Sequence, residues 1–489
     1  MKHGDALIAT ALVITVGSAY FLWKRRGESA IRSKDHQEPY SNFNHPEKFL
    51  LDKLVSSIVP LLLPLADLAK HPSHNYKNHG MKKAIGALRE NNKLDDDGYK
   101  KECKAWNTLI QQKNSTDYLI TGLVTIPRNF KVLSQYGVPN AEELEQLSDP
   151  EDTASEVEIS IACPASALEG GFELVDGKDD LKTNGFRQMK PCKLEDLKFA
   201  PSAQLLLWFH GGGLSLGQAR DGHFSIGYAK TLSEKYAKTD IIEDDSAAPL
   251  VLLSVQYRLA PENPFPAAVI DGLSSASFLI EKYPSLALHV AGISAGGNLS
   301  AVVGIEAHRK YPGKVKSIVA NIPMFQPRSD SLLYHLNSKS SGTCPTEFVR
   351  WCWSAYLQLD EKKTGDIDFY SSDGLKSALE KSKWSKYMDS SSSERAPASC
   401  WRLICPQVDL PPNLDNDNAP KIIVVTATAD PLHDDGVDFV KSLRKEYGKR
   451  SDKVLHIESG GSHVLSLMFD KKASEDYMAA WSMVMWGSS

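Results

Sequence analysis

Two glycine-rich turns, each set at the end of an apolar run, constrain the fold of this chain more than any other feature. His210, Gly211, Gly212 and Gly213 follow the run Gln204–Phe209, and Gly292-Ile293-Ser294-Ala295-Gly296 follows Leu286–Ala291, with 84 positions from His210 to Ser294. Short apolar runs bounded by glycine read as buried strands, and Gly297–Lys310 reads as a helix. Ser294 therefore falls on a strand-to-helix turn, where Gly292 and Gly296 keep Cβ atoms out of the bend and the helix N-terminus favours negative charge. A plain Gly/Ser loop could produce the serine pentapeptide in a chain with 32 glycines. The glycine triplet is the stronger signal, because three bare residues after a buried strand let backbone N–H groups approach a ligand closely. Reading it as a flexible loop, with His210 a core histidine, leaves the strand and the second turn as coincidences.

Together the turns supply what acyl transfer to a serine requires: an exposed hydroxyl and preset N–H donors for the oxyanion it creates. A base and an orienting carboxylate should then follow in the order Ser, Asp, His. Lys421–Ala427 is another apolar strand, with Asp430, Pro431 and Leu432 just beyond its end, where open α/β sheets gather their functional groups. A short strand, Lys453–Glu458, leads into Ser459-Gly460-Gly461-Ser462-His463. Asp430 is assigned to hold the imidazole of His463 in the correct tautomer, and His463 to relay the proton of Ser294. Asp434 or Asp435 could replace Asp430 as the acid, and His456 could replace His463, although His456 lies within its strand.

These residues, with Tyr257-Arg258-Leu259-Ala260-Pro261-Glu262 and Pro264-Phe265-Pro266-Ala267-Ala268, resemble the hormone-sensitive-lipase group of the α/β-hydrolase superfamily, which takes in arylacetamide deacetylase and fungal sterol deacetylases. The resemblance spans roughly residues 200–475. It implies the α/β-hydrolase fold, a mostly parallel central sheet flanked by helices, with a cap from the N-terminal segment and from an insertion before the Asp430 strand. It further implies oxyanion donors on the N–H groups of Gly212, Gly213 and Ala295, with His210 and Gly211 supporting that loop and Arg258 and Glu262 as scaffold. A carboxylic ester hydrolase acting on a hydrophobic ester is the expected activity, within the group a sterol acetate, with no metal and no organic cofactor. Gln256 stands where many members carry Asp, and Val464 where Gly is usual. Members that became hormone receptors lost the histidine, whereas this chain keeps His463. A non-catalytic ligand-binding protein is the rival from another class, and a broad esterase of small aryl or acyl esters the rival within it.

At 489 residues, 42% hydrophobic and 24% charged, the chain exceeds what one such domain needs. A net charge of −5, without basic blocks among aromatics, gives nucleic acid no footprint. The seven cysteines have no metal-ligand spacing, and their odd number forbids complete internal pairing. Ala6–Trp23 is 18 residues without charge, enough to cross a hydrocarbon core of about 30 Å, and Lys24-Arg25-Arg26 follows it. The expected layout is an anchor in residues 1–26 (span about 6–23), a linker and cap segment in 27–150, and a catalytic domain in 151–489 with a cap insertion at about 327–415. Val157–Ala162 alternates and reads as the first strand of that domain, and Glu169–Ala200 as a surface hairpin or loop. Trp351, Trp353, Tyr356 and Trp384 would either line an apolar pocket or fasten the insertion to the body. Localisation is expected at the endoplasmic reticulum membrane, single-pass. The cations after the span favour a cytosolic body and the resemblance a lumenal one, which is the reading adopted.

Overall fold

The structure is a computed structural model that describes residues 89, 96–113, 115–147, 155–175, 186–220, 248–327, 344, 346–359, 382, 384, 400–412, 414–460 and 463. The segment expected as membrane anchor, Ala6–Trp23, lies outside the described residues, as does the apolar run Phe49–Leu68, whose Pro60 and Pro64 suit either a kinked core helix or a segment on the membrane or over the pocket. No helix among the described residues is long and apolar enough to cross a membrane.

Eight strands carry the central sheet: β1 (Leu119–Pro127), β2 (Glu156–Pro164), β3 (Gln204–Phe209), β4 (Leu250–Val255), β5 (Ala287–Ile293), β6 (Val315–Asn321), β7 (Lys421–Ala427) and β8 (Val454–Ser459). Their order is β8-β7-β6-β5-β3-β4-β2-β1, and the two-residue strands Arg187–Gln188 and Cys192–Lys193 pair with β1 at the edge. From β4 to β8 all pairings are parallel; β2 runs antiparallel to both β1 and β4. The composition explains this division. Leu205–Phe209 and Val251–Val255 are buried at every position, as strands covered on both faces must be, whereas Glu156 and Glu158 alternate with the buried Val157 and Ile159 towards the antiparallel edge.

Helix α1 (Asp96–Lys113) precedes the sheet; α2 (Ala267–Lys282) and α3 (Ala295–Lys310) pack together, and α3 also covers β5 and β6. α4 (Thr346–Leu357) belongs to the insertion, and α5 (His433–Tyr447) follows β7. One expectation is corrected here. The first strand is Leu119–Pro127, paired along its whole length with β2, so part of the segment read as linker and cap joins the sheet. The run Leu-Ile-Thr-Gly-Leu-Val-Thr-Ile-Pro lacks clean alternation, with Leu119, Ile120 and Thr121 buried in succession and Leu123 half-buried beside buried Val124. Of the two readings of the excursion Glu169–Ala200, hairpin and loop, its ends take the first: Leu168–Gly170 pairs antiparallel with Lys198–Phe199, and the two short strands that join β1 also lie in it.

The insertion's aromatics are sealed. Trp351, Trp353 and Trp384 have no exposed surface, and Tyr356 and Trp384 meet Phe265 edge-on with ring centroids 5.7 and 5.3 Å away. They fasten α4 to the body beside α2. Register brings the functional loops together: Phe209 pairs with Gly292, Asn321 with Ile293 and Ala427 with Ser459. The chain therefore leaves β3, β5, β7 and β8 at the same edge of the sheet, the carboxyl end where such folds place their sites.

Candidate active site

Ser294 caps α3 with φ 57° and ψ −119°, a left-handed conformation that a serine adopts only under local constraint. Its N–H donates to Asn321 at 2.8 Å, and its carbonyl accepts from Met324 at 3.1 Å and Asn298 at 3.2 Å, so the turn is held from both flanks. The flanking glycines are required sterically. A Cβ on Gly292 would lie 2.1 Å from the Gly296 carbonyl oxygen, and one on Gly296 would lie 2.1 Å from that of Phe209.

The loop after β7 brings Asp430 and the loop after β8 brings His463. His463 Nε2 lies 3.0 Å from Ser294 Oγ, and Nδ1 lies 2.6 Å from Asp430 Oδ2. Because the carboxylate can only accept, Nδ1 carries the proton and Nε2 is left to accept from the serine. The other Asp430 oxygen accepts from the Leu432 N–H at 3.0 Å, which fixes the carboxylate's orientation. All three side chains are buried. The alternates point elsewhere: His456 Nε2 meets Thr426 Oγ1 at 2.9 Å, Asp434 meets His433, and Asp435 accepts from the Gln326 N–H.

Beside the serine runs the loop after β3, so near that a Cβ on Gly211 would lie 3.5 Å from Ser294 Cβ. Gly212 and Gly213 have φ of 108° and 63°. The Gly212 carbonyl accepts from the N–H groups of Ser215 and Leu216 at 3.0 and 2.8 Å, curling the loop. Among the described residues, no carbonyl accepts from the N–H of Gly212, Gly213 or Ala295. His210 stacks on Tyr257 at 4.1 Å, Tyr257 donates to the His210 carbonyl at 2.8 Å, and His210 Nδ1 donates to the Gly211 carbonyl at 2.8 Å. Burial lowers the pKa of His210 to about 4, so it braces the loop as a neutral ring. Gln256, the departure noted in the sequence, accepts from the Ala219 N–H at 2.8 Å and ties down the far end of this loop. Val464 lies outside the described residues.

Residues 206–374 match the alpha/beta hydrolase fold family. The hormone-sensitive lipase of Ictidomys tridecemlineatus is 26% identical over 282 residues, 54% of this chain and 34% of that protein. The versiconal hemiacetal acetate esterase of Aspergillus parasiticus is 31% identical over 119 residues, 24% of this chain and 33% of that protein. The chain has the α/β-hydrolase fold and is similar to the hormone-sensitive-lipase group. Carboxylesterase NlhH of Mycobacterium tuberculosis is a third relative, 30% identical over 186 residues, 37% of this chain and 48% of that protein. The chain spans less than half the length of each of these curated relatives. In this α/β hydrolase the matched stretch contains the loop after β3 and the serine turn but ends before Asp430 and His463, which the tertiary structure alone places beside Ser294.

Three positions of this α/β hydrolase escaped sequence reasoning. Arg89 donates through Nε to the Ser215 carbonyl at 2.8 Å and through Nη2 to the Ala260 carbonyl at 2.7 Å, and pairs with Glu262 at 2.9 Å. Asp271 lies between Arg128 (2.8 Å) and Arg258 (3.1 Å), all buried, and anchors the segment after β4 to α2. Arg258 and Glu262 thus both serve the scaffold, through different partners. Cys344, from the insertion, is buried against the His463–Asp430 pair, its Sγ within 4.8 Å of a nitrogen of one and an oxygen of the other. Nothing in the spacing of residues 89, 271 or 344 signals these contacts. Burial works against a charged His463, but the Asp430 carboxylate and then Cys344 outweigh it and hold its pKa well above the usual histidine value. Burial likewise pushes the Cys344 thiol up, with His463 pulling the other way.

Proposed function

We propose that this chain is a serine carboxylic ester hydrolase acting on hydrophobic esters. The relay from Ser294 Oγ through His463 Nε2 (3.0 Å) and Nδ1 to Asp430 (2.6 Å) carries the reading. Ser294 Oγ attacks the ester carbonyl while His463 Nε2 takes its proton, and Asp430 stabilises the imidazolium that forms. The N–H groups of Gly212, Gly213 and Ala295 receive the oxyanion, in a buried place where such donors act most strongly. His463 then returns the proton to the departing alcohol, and water activated by the same ring releases the acid from Ser294. No step calls for a metal or an organic cofactor.

Within this reading the substrate is a sterol acetate, held by a body anchored through Ala6–Trp23 in the endoplasmic reticulum membrane and facing the lumen. A relative named for an acetate ester, another named a lipase and the uncharged N-terminal run support it. Fluorophosphonate labelling and ester turnover by the full chain should both vanish in Ser294→Ala. A folded wild-type protein that neither labels nor hydrolyses any ester would instead be a ligand-binding protein. Comparing kcat/KM for sterol acetate, sterol oleate and an aryl acetate decides the substrate. Preference for oleate sinks the deacetylase, and indifference to the sterol favours the broad esterase that the relation to NlhH also suggests. For orientation, Asn114-Ser115-Thr116 is an N-glycan acceptor sequence, so endoglycosidase H should shift the mobility of the membrane protein unless Asn114 is replaced by Gln, and protease should not digest the body in sealed microsomes. Asn298-Leu299-Ser300 also fits the acceptor pattern, but Asn298 is buried in α3 and donates its amide to the Ile404 carbonyl.

A further inference from the structure

We infer that Cys344, His463 and Asp430 form a binding site for a thiophilic divalent cation of the zinc class, and that its occupancy silences Ser294. A thiol sulfur, a ring nitrogen and a carboxylate oxygen all lie within 4.8 Å of one another, and each residue is buried. Cys344 is in no disulfide, and its thiol already meets the His463 ring through a side-chain hydrogen bond, so sulfur and imidazole face each other. The three come from separate segments: the insertion before α4, the loop after β7 and the loop after β8. Thiolate, imidazole and carboxylate are the donor set that zinc takes, three protein ligands leaving a fourth position for water. Magnesium and calcium, which want an oxygen shell, find too few oxygens here.

The fit needs only small movements. Tetrahedral zinc at its usual bond lengths separates nitrogen and oxygen ligands by about 3.3 Å. The hydrogen bond from Nδ1 to Asp430, now 2.6 Å, would therefore open by somewhat under an ångström, and the sulfur, now within 4.8 Å of both partners, would close to about 3.6 Å of them. Charge also balances, since a dication between a thiolate and a carboxylate leaves this buried place neutral.

Protons fix the consequence. In the base form of His463, the form that works in catalysis, one proton sits on Cys344 sulfur and one on His463 Nδ1 before binding. The cation takes both positions; the thiol proton leaves to solvent and the ring proton moves to Nε2. One proton is released per ion, and Nε2–H now faces Ser294 Oγ, where it can no longer accept. The loss of activity rests on the esterase reading, whereas the binding does not.

The test uses the full chain, solubilised and stripped with EDTA. Zn2+ should suppress aryl acetate hydrolysis at least about tenfold, EDTA should restore it, and equal Mg2+ or Ca2+ should not act. Cys344→Ser and Cys344→Ala, each measured against its own metal-free rate, should raise the half-inhibiting Zn2+ concentration at least about tenfold. Binding is read without turnover in Ser294→Ala, where Co2+ should give a sulfur-to-cobalt charge-transfer band that disappears when Cys344→Ala is added. That band survives even if no ester is hydrolysed, which separates failure of the site from failure of the esterase reading. Absence of the band, or unchanged Zn2+ inhibition in both cysteine variants, overturns the site. Sulfur-bound cobalt without loss of turnover in the wild type overturns the tautomer argument.

Discussion

Arg89 should act on turnover from outside the reacting atoms, through the loop that presents the oxyanion donors. Its guanidinium donates to the Ser215 carbonyl at 2.8 Å and the Ala260 carbonyl at 2.7 Å, bridging the Gly212–Ser215 curl to the segment after β4. Hydrogen bonds from a charged donor are each worth about 1.5–3 kcal/mol, whereas the Arg89–Glu262 pair, with Glu262 60% exposed, is worth under about 1 kcal/mol. Arg89→Met removes both donations and loosens Gly212 and Gly213, whose N–H groups must be fixed before charge develops. If about half of that energy holds the loop in its reactive shape, kcat falls about 10- to 100-fold, since each 1.36 kcal/mol is tenfold. KM for a small ester should change little, because the ester's ground state makes few of these contacts. Arg89→Lys can reach one carbonyl but not both in the same geometry, and should fall between. Steady-state kinetics with an aryl acetate, beside thermal melts of each variant, read the result. The reasoning fails if Arg89→Met lowers the melting temperature but leaves kcat intact, or if Glu262→Gln matches it, since the exposed pair would then carry the effect.

Two further outcomes follow from the same geometry. The base form of His463 is the working one and its pKa is raised, so kcat/KM should climb with pH on the acid side with a midpoint above that of an ordinary histidine. Asp430→Asn removes the carboxylate that raises the pKa and leaves the burial that lowers it; the midpoint should move to lower pH while the plateau drops about 10^4-fold, and a pH–rate profile that keeps its midpoint refutes the pairing. Gly296→Ala places a Cβ 2.1 Å from the Phe209 oxygen and 2.3 Å from that of His210, forcing the serine turn off the end of β3. Unfolding midpoints should show a loss of about 1–3 kcal/mol or more together with lost fluorophosphonate labelling, and wild-type labelling in that variant would contradict the close packing.

The residues fix some of this protein without any structure. Apolar runs such as Leu205–Phe209 and Ile422–Val425 declare buried strands, because a parallel strand covered on both faces tolerates no polar alternation. Glycines at 212, 213, 292 and 296 declare sharp turns, because only a residue without Cβ fits those bends; two of the four have positive φ and the other two abut carbonyl oxygens. Motif order then names Ser294, Asp430 and His463 as one set, although nothing local separates His463 from His456 or Asp430 from Asp434. That distinction belongs to three dimensions: His456 is fixed within β8 against Thr426, while His463 lies beyond the strand end where β5, β7 and β8 stop level. The strand β1 was illegible for a related reason: three buried residues in a row, Leu119–Thr121, break the alternation by which a half-buried strand is read, and only its pairing with β2 shows it to be in the sheet. Arg89 and Cys344 lie 126 positions from Ser215 and 119 from His463, and no spacing rule reaches that far. Periodicity and glycine report on the chain's own backbone, so sequence reveals strands and turns; contacts between distant segments depend on how the sheet orders them, and only the folded chain decides which side chains meet.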